Sequence, residues 1–195
     1  MSIENDENIR RKESTEKILR SYAAKNGRFS VLDSDELLKY IPPSPSSSST
    51  VSPSGLYIVD VRTPEERNTS YIPSSISQLE FEKLDDKVTR DANLIISYCT
   101  IGLRSGNYCQ ELADKGYNIK KLKNGAGIIS WSHVDGPLVR LDEKGIEVET
   151  KKVHCFGNEW KAMLNTKYDP VVFSTPKFLW FGIAELLKTF PRLFN

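Results

Sequence analysis

Two short apolar runs constrain this chain most: Leu56 to Val61 reads LYIVDV, and Leu94 to Tyr98 reads LIISY. Both are rich in β-branched residues, and a turn segment follows the first, the pattern of a strand buried on both faces. Ile119 to Leu122 is a weaker third candidate. Between the last two, Ser105 to Gly116 sets Tyr108, Cys109, Leu112 and Ala113 on one helical stripe and ends in glycine. Strand, helix, strand in this order predicts a βαβ unit, and so an α/β domain with a mostly parallel central sheet and helices on both faces.

The flanking segments are less regular. Residues 13–25 carry Ile18, Leu19, Tyr22 and Ala23 at helical spacing, and Asn26-Gly27 stops the pattern; residues 1–27 read as an accessory helix. Phe29 to Leu32 is a short strand candidate. Ser34 is a candidate N-cap for a helix over Asp35 to Tyr40, ended by Pro42-Pro43. Residues 42–55, PPSPSSSSTVSPSG, offer almost no apolar side chains to bury and read as a mobile loop within a domain over 28–140. Ser44-Pro45 and Ser52-Pro53 are candidate phosphorylation sites in what otherwise reads as an inert spacer.

Residues 141–195 form a C-terminal extension. In its last part, KFLWFGIAELLKTFPRLF, the residues Phe178, Phe181, Ile183, Leu186 and Leu187 make one helical face. Glu185 and Lys188 interrupt a run already shorter than the ~20 apolar residues a membrane span needs. Docking onto the domain is the first expectation for this face, with a protein partner or a membrane surface as alternatives.

With 38% hydrophobic residues in 195, the chain has the composition of one ordinary soluble domain with additions at its ends. Lys plus Arg (27) nearly balances Asp plus Glu (26), so total charge gives no reason to expect a polyanion. The lysines between Lys115 and Lys123 read as a solvated helix end and edge strand, and no nucleic-acid partner is expected. The polar start, MSIENDENIRRKE, has no signal-peptide core, so a cytoplasmic location is expected. On the same ground the sequon Asn68-Thr69-Ser70 is read as idle. Cys99, Cys109 and Cys155 show neither C-x-x-C nor zinc-ligand spacing; no disulfide framework, metal or cofactor is expected.

Cys99 is the cysteine that calls for chemistry. It follows the strand Leu94 to Tyr98 directly, and in an open parallel sheet ligands bind beyond the carboxyl ends of the strands, where helix N-termini point their free N–H groups. Thr100, Ile101, Gly102, Leu103 and Arg104 then have to curl around the sulfur before a helix beginning near Ser105. A ring of N–H donors, a helix N-terminus and the guanidinium of Arg104 all favour an anionic sulfur, which makes Cys99 a candidate nucleophile. Cys109, on the stripe with Leu112 and Ala113, reads as a small buried hydrophobe. Cys155, in VHCFGNEW, lies by no helix N-terminus. His133 and His154 read as ordinary hydrogen-bonding residues.

Three segments resemble the rhodanese-like sulfurtransferases in a single-domain form: DVRTPEERNTSYIPSSI (60–76), YCTIGLRSG (98–106) and GIISW (127–131). The resemblance implies an enzyme whose Cys99 takes a sulfane sulfur from a donor such as thiosulfate and holds it as a persulfide. The sulfur then passes to a thiol or cyanide. Arg104 would orient an anionic donor, while Asp60 and Arg62 would brace the loop from behind, with Glu66 pairing to Arg62 across one helical turn. The sequence departs from the family pattern at Tyr71, where histidine is common, and at Ser74, where glycine is common. Asn124-Gly125-Ala126-Gly127 replaces a compact double glycine, and Leu103 makes the loop more apolar. Two other readings stay open, a cysteine-dependent phosphatase and a non-catalytic binding module. Phosphatase loops of this kind carry five residues between Cys and Arg, whereas here there are four.

Overall fold

The structure, a computed structural model, describes residues 3–25, 28–41 and 55–173. The Asn26-Gly27 stop, the Ser/Pro loop up to residue 54, the aromatic face at the C-terminus and the side chain of Ala23 lie outside the described residues. In chain order the elements are α1 (Ile3–Lys25), α2 (Ser34–Leu38), β1 (Leu56–Asp60), α3 (Pro64–Thr69), β2 (Ile76–Ser77), α4 (Gln78–Glu82), α5 (Asp86–Arg90) and β3 (Leu94–Tyr98). They continue as α6 (Leu103–Asp114), β4 (Leu122–Asn124), α7 (Ile128–Ser132), β5 (Val139–Leu141), β6 (Glu147–Glu149), β7 (Lys152–His154), α8 (Asn158–Lys161) and β8 (Asp169–Val171).

The central sheet is parallel throughout, in the order β2-β1-β3-β4. Its two middle strands are the apolar runs of the sequence, and alternation along them supplies both faces of the core. Ile58, Ile96 and Tyr98 pack with Leu37, Ile128, Ile129 and Trp131, whereas Tyr57, Val59 and Ile95 pack with Phe81, Tyr108, Cys109 and Leu112. The α/β architecture expected from the strand–helix–strand pattern is therefore present.

Local polar groups moved several boundaries. Residues 119–121 form a 3₁₀ turn, started by Asn118, whose side chain accepts from the Lys120 N–H, so the strand begins only at Leu122. The candidate strand at 29–32 is a single parallel bridge, Val31 beside Asn124. Asp33, with extended backbone at φ −63° and ψ 152°, and not Ser34, is the N-cap of α2; the Ser34 hydroxyl donates to Ser130 at 3.0 Å. Helix α6 begins at Leu103, ahead of Ser105, because Gly102 at φ 89° turns the chain into it.

The region after residue 140 is continuous with the core. Val153, Cys155, Met163, Leu164 and Tyr168 belong to the same buried cluster as Ile58 and Trp131. Two small sheets, β5 with β6 and β7 with β8, carry this chain back along the domain. Helix α1 is tied to the same region mainly by polar contacts: Asn8 exchanges hydrogen bonds with Thr166, and Arg11 donates to the Leu164 carbonyl at 2.7 Å. Ile18 and Tyr22 add apolar contact with the core.

Candidate active site

Cys99 stands immediately beyond β3, at the carboxyl edge of the sheet, and is 1% exposed. Two groups reach its sulfur: the Gly102 N–H at 3.1 Å and the Ser105 hydroxyl at 3.5 Å. Gly102 can occupy this point because it adopts the left-handed region at φ 89°, which strains a residue with a side chain, and an added Cβ would lie 2.8 Å from the Ala126 carbonyl. The sulfur thus faces the N-terminus of α6, a helix of 12 residues, whose dipole favours negative charge there.

The other wall of the loop is α7. Its first N–H groups, those of Ile128 and Ile129, bond the carbonyls of Cys99 and Thr100 at 2.9 and 3.2 Å. Gly127 brings the two chains together: at φ 142°, any Cβ would sit 2.6 Å from the Thr100 carbonyl oxygen. The segment expected as a loosened double glycine is therefore the floor of the cysteine loop. Leu103, 38% exposed, points the apolar side of the loop outward. Leu19 of α1 approaches from another side, 3.2 Å from the position of a Cβ on Gly102.

Arg104 does not hold its fork open. Its two terminal nitrogens bind Glu66 bidentately at 2.7 and 2.8 Å, and one also donates to Thr100 at 3.1 Å. The guanidinium lies over the Phe156 ring, 4.8 Å from its centroid. His154 adds its Nδ1 to Glu66 at 3.3 Å and is flanked by Phe156 and Phe173. Burial works to raise the Glu66 pKa, but the hydrogen bonds from Arg104 and His154 outweigh it and hold the carboxyl well below the usual range. Burial works to lower the Arg104 pKa, and Glu66 more than reverses that. The donor-orienting fork expected of Arg104 is thus occupied by a carboxylate.

Asp60 and Arg62 form a second buried pair behind the loop. Arg62 binds Asp60 through Nε at 2.9 Å and Nη2 at 2.7 Å, and reaches the Ser70 carbonyl. Tyr98, one residue before the cysteine, donates its hydroxyl to Asp60 at 2.7 Å. Burial alone would raise the Asp60 carboxyl pKa; Arg62, Arg67 and Tyr98 together hold it low. The expected Arg62–Glu66 ion pair does not form, because Asp60 takes the Arg62 fork. Meanwhile the Thr63 capping box turns Glu66 toward the cysteine loop, with Thr63 N–H on its carboxylate at 3.0 Å.

The other cysteines are set apart by their surroundings. Cys109 and Cys155 are 0% exposed, and burial pushes each thiol up to about 12. The residues the sequence singles out, Cys99 through Ser105 with Asp60 and Arg62, lie on this loop and behind it. His154, Phe156 and the side chain of Asn124 join them with no local signal in the sequence. The Thr63-x-x-Glu66 spacing was the one local signal that Glu66 is held in a fixed direction.

Residues 47–127 match the family model described as Rhodanese-like domain. Among solved structures, a Rhodopseudomonas palustris protein described as a possible tyrosine phosphatase is 22% identical, covering 64% of this chain and 92% of that one at a TM-score of 0.43. A rhodanese-like domain from Anabaena is 16% identical, covering 55% and 76% at 0.40. An NAD-dependent persulfide reductase from A. fulgidus is 26% identical over 57% of this chain and 17% of that one, at 0.37. No curated protein matches the sequence.

Proposed function

We propose that the protein is a sulfurtransferase that carries a sulfane sulfur on Cys99. The observation that carries this reading is the sulfur at the N-terminus of α6, with the Gly102 N–H 3.1 Å away. A thiolate there attacks the outer sulfur of a donor such as thiosulfate. The Cys99–sulfur bond forms as the donor's sulfur–sulfur bond breaks, and sulfite leaves with the bonding pair. A thiolate or cyanide then attacks the outer sulfur of the persulfide, and Cys99 leaves as thiolate. Arg104, clamped to Glu66, holds the loop fixed while the loop donors receive the developing charge. Committing both terminal nitrogens of Arg104 to Glu66 also removes the fork that a phosphate cradle would need, which favours this reading over a phosphatase.

The partners in this reading are a small sulfur donor and a thiol or cyanide acceptor, in a reducing, cytoplasmic setting that leaves all three cysteines free. Among the described residues, no helix is long and apolar enough to cross a membrane. Intact-mass measurement after exposure to sulfane donors tests the proposal. One added sulfur, mapped to Cys99 and lost in Cys99→Ser, is expected. Sulfur mapped to Cys109 or Cys155, or none at all, overturns it.

A further inference from the structure

The lengthened turn Asn124-Gly125-Ala126-Gly127 puts one polar side chain into the cysteine loop. Asn124 is 4% exposed and is pinned on both sides. It pairs with Ser97 of β3 and, through its backbone, exchanges hydrogen bonds with Ser30 and Leu32 at 3.2 and 2.8 Å. Its side-chain amide spans two parts of the loop: Nδ2 donates to the Gly102 carbonyl at 2.8 Å, and the Ser105 hydroxyl donates to Oδ1 at 2.7 Å.

The orientation of this amide follows from chemistry. The Gly102 carbonyl can only accept, so the amide nitrogen must face it, and the oxygen must then face Ser105. The single hydroxyl proton of Ser105 is therefore spent on Asn124. What Ser105 offers the sulfur, 3.5 Å away, is a lone pair, which suits an S–H group. A thiolate needs the proton instead, and the hydroxyl must turn away from Asn124 to supply it.

We propose that Asn124 is a positioning residue for sulfur transfer, holding Gly102 so that its N–H stays on Cys99 and competing with the sulfur for the Ser105 proton. This rests on the reading of Cys99 as the sulfur carrier. When the acceptor takes the outer sulfur, Cys99 leaves as thiolate, and the Ser105 hydroxyl turns from Asn124 to meet the new charge. Asn124 thereby sets how readily Cys99 changes charge, without touching a substrate. The charged side chain acting on the same sulfur is Arg104, backed by Glu66 and His154; the Asn124 amide bonds Gly102 and Ser105 instead.

The test uses the full chain and reads Cys99 twice: its iodoacetamide alkylation rate against pH without any donor, and its sulfur transfer from thiosulfate to cyanide. Asn124→Asp keeps an acceptor for Ser105, holds that proton harder and loses the donor to Gly102. It should move the alkylation profile to higher pH and lower kcat about tenfold with KM for thiosulfate little changed. Ser105→Ala should move the profile the same way by less, and in the Asn124→Asp background it should add nothing further. An unmoved profile in either single variant overturns the proposal, and so do additive effects in the double variant. A merely structural Asn124 would lower the melting temperature, and the field of the new carboxylate alone would shift the profile additively with Ser105→Ala. Failure of the parent to form a persulfide would instead sink the sulfurtransferase reading, which the donor-free alkylation profile does not depend on.

Discussion

Asp60 and Glu66 each meet an arginine out of water, one behind the cysteine loop and one beside it, but the two knots are built to different ends. The Asp60–Arg62 pair has 0% side-chain exposure on both sides and is closed within the fold: it joins β1 to the end of β3 through Tyr98, and to the 70–75 segment through the Ser70 carbonyl and the Ser75 hydroxyl. The Glu66–Arg104 pair keeps the arginine side chain 18% exposed, and its other contacts, Thr100, His154 and Phe156, lie around the loop. Similar chemistry thus fixes the frame in one place and holds a mouth in shape in the other. Dehydration makes the first costly to break, whereas the second, nearer water, can lose an interaction and keep its charge solvated.

Breaking the inner knot should have the largest effect. Asp60→Ala leaves the Arg62 charge buried and takes an acceptor from Tyr98, so a loss of about 3–5 kcal/mol in stability is expected. Urea unfolding followed by tryptophan fluorescence measures it. A loss below about 1 kcal/mol would put this pair on a level with surface ion pairs and erase the contrast.

Glu66→Gln should cost less, about 1–3 kcal/mol, because the amide still accepts from Arg104 although the charge is gone. Its signature is the acid limb. The folded Glu66 carboxyl is held below its ordinary value, so its stabilisation is complete above the unfolded pKa of about 4.3 and drains away as pH falls below it. The stability gap between parent and Glu66→Gln should therefore narrow between pH 5 and pH 3. A gap that stays constant or widens would show that the carboxylate charge contributes nothing there. The Asp60 carboxyl, also held low, steepens the same acid limb in both proteins and cancels in the difference.

The contrast also marks what a linear reading can reach. β1 and β3 were legible because each is a continuous apolar run whose neighbours on both faces are apolar, and Cys99 was legible because it directly follows β3. The choice of carboxylate for each arginine was not: Arg62 has Asp60 two residues before it and Glu66 four after it, and spacing on a helix favours the second. Only the strand-to-helix turn, which brings Asp60 alongside its guanidinium, decides for the first. His154 and Phe156 were beyond reach because β7 returns to the loop only after the small sheets β5–β6 and β7–β8 have formed, and their strands carry few apolar residues. Asn124 was hidden for a related reason, since its role comes from the parallel bridge to Val31 and the approach of α6.

The smallest effect belongs to Arg104→Lys, and it separates charge from geometry at the outer knot. Lysine keeps a positive charge near Glu66 and over Phe156, but as a point donor it cannot bind both carboxylate oxygens and Thr100 in one plane. Because the site is partly open to water, the stability cost should be about 1 kcal/mol or less. The loop should feel it more. With Thr100 and Glu66 no longer clamped together, persulfide formation at Cys99 should slow by about tenfold, measured by quenched mass spectrometry after mixing with thiosulfate. Alkylation of Cys99 by a neutral reagent should change much less, since the Gly102 N–H and the start of α6 remain in place. Cys109 and Cys155, buried and with thiols pushed up to about 12, serve as internal controls: if they become reactive together with Cys99, the variant has loosened the whole domain. In that case the outer knot holds the fold as the inner one does, and the division between frame and mouth is wrong.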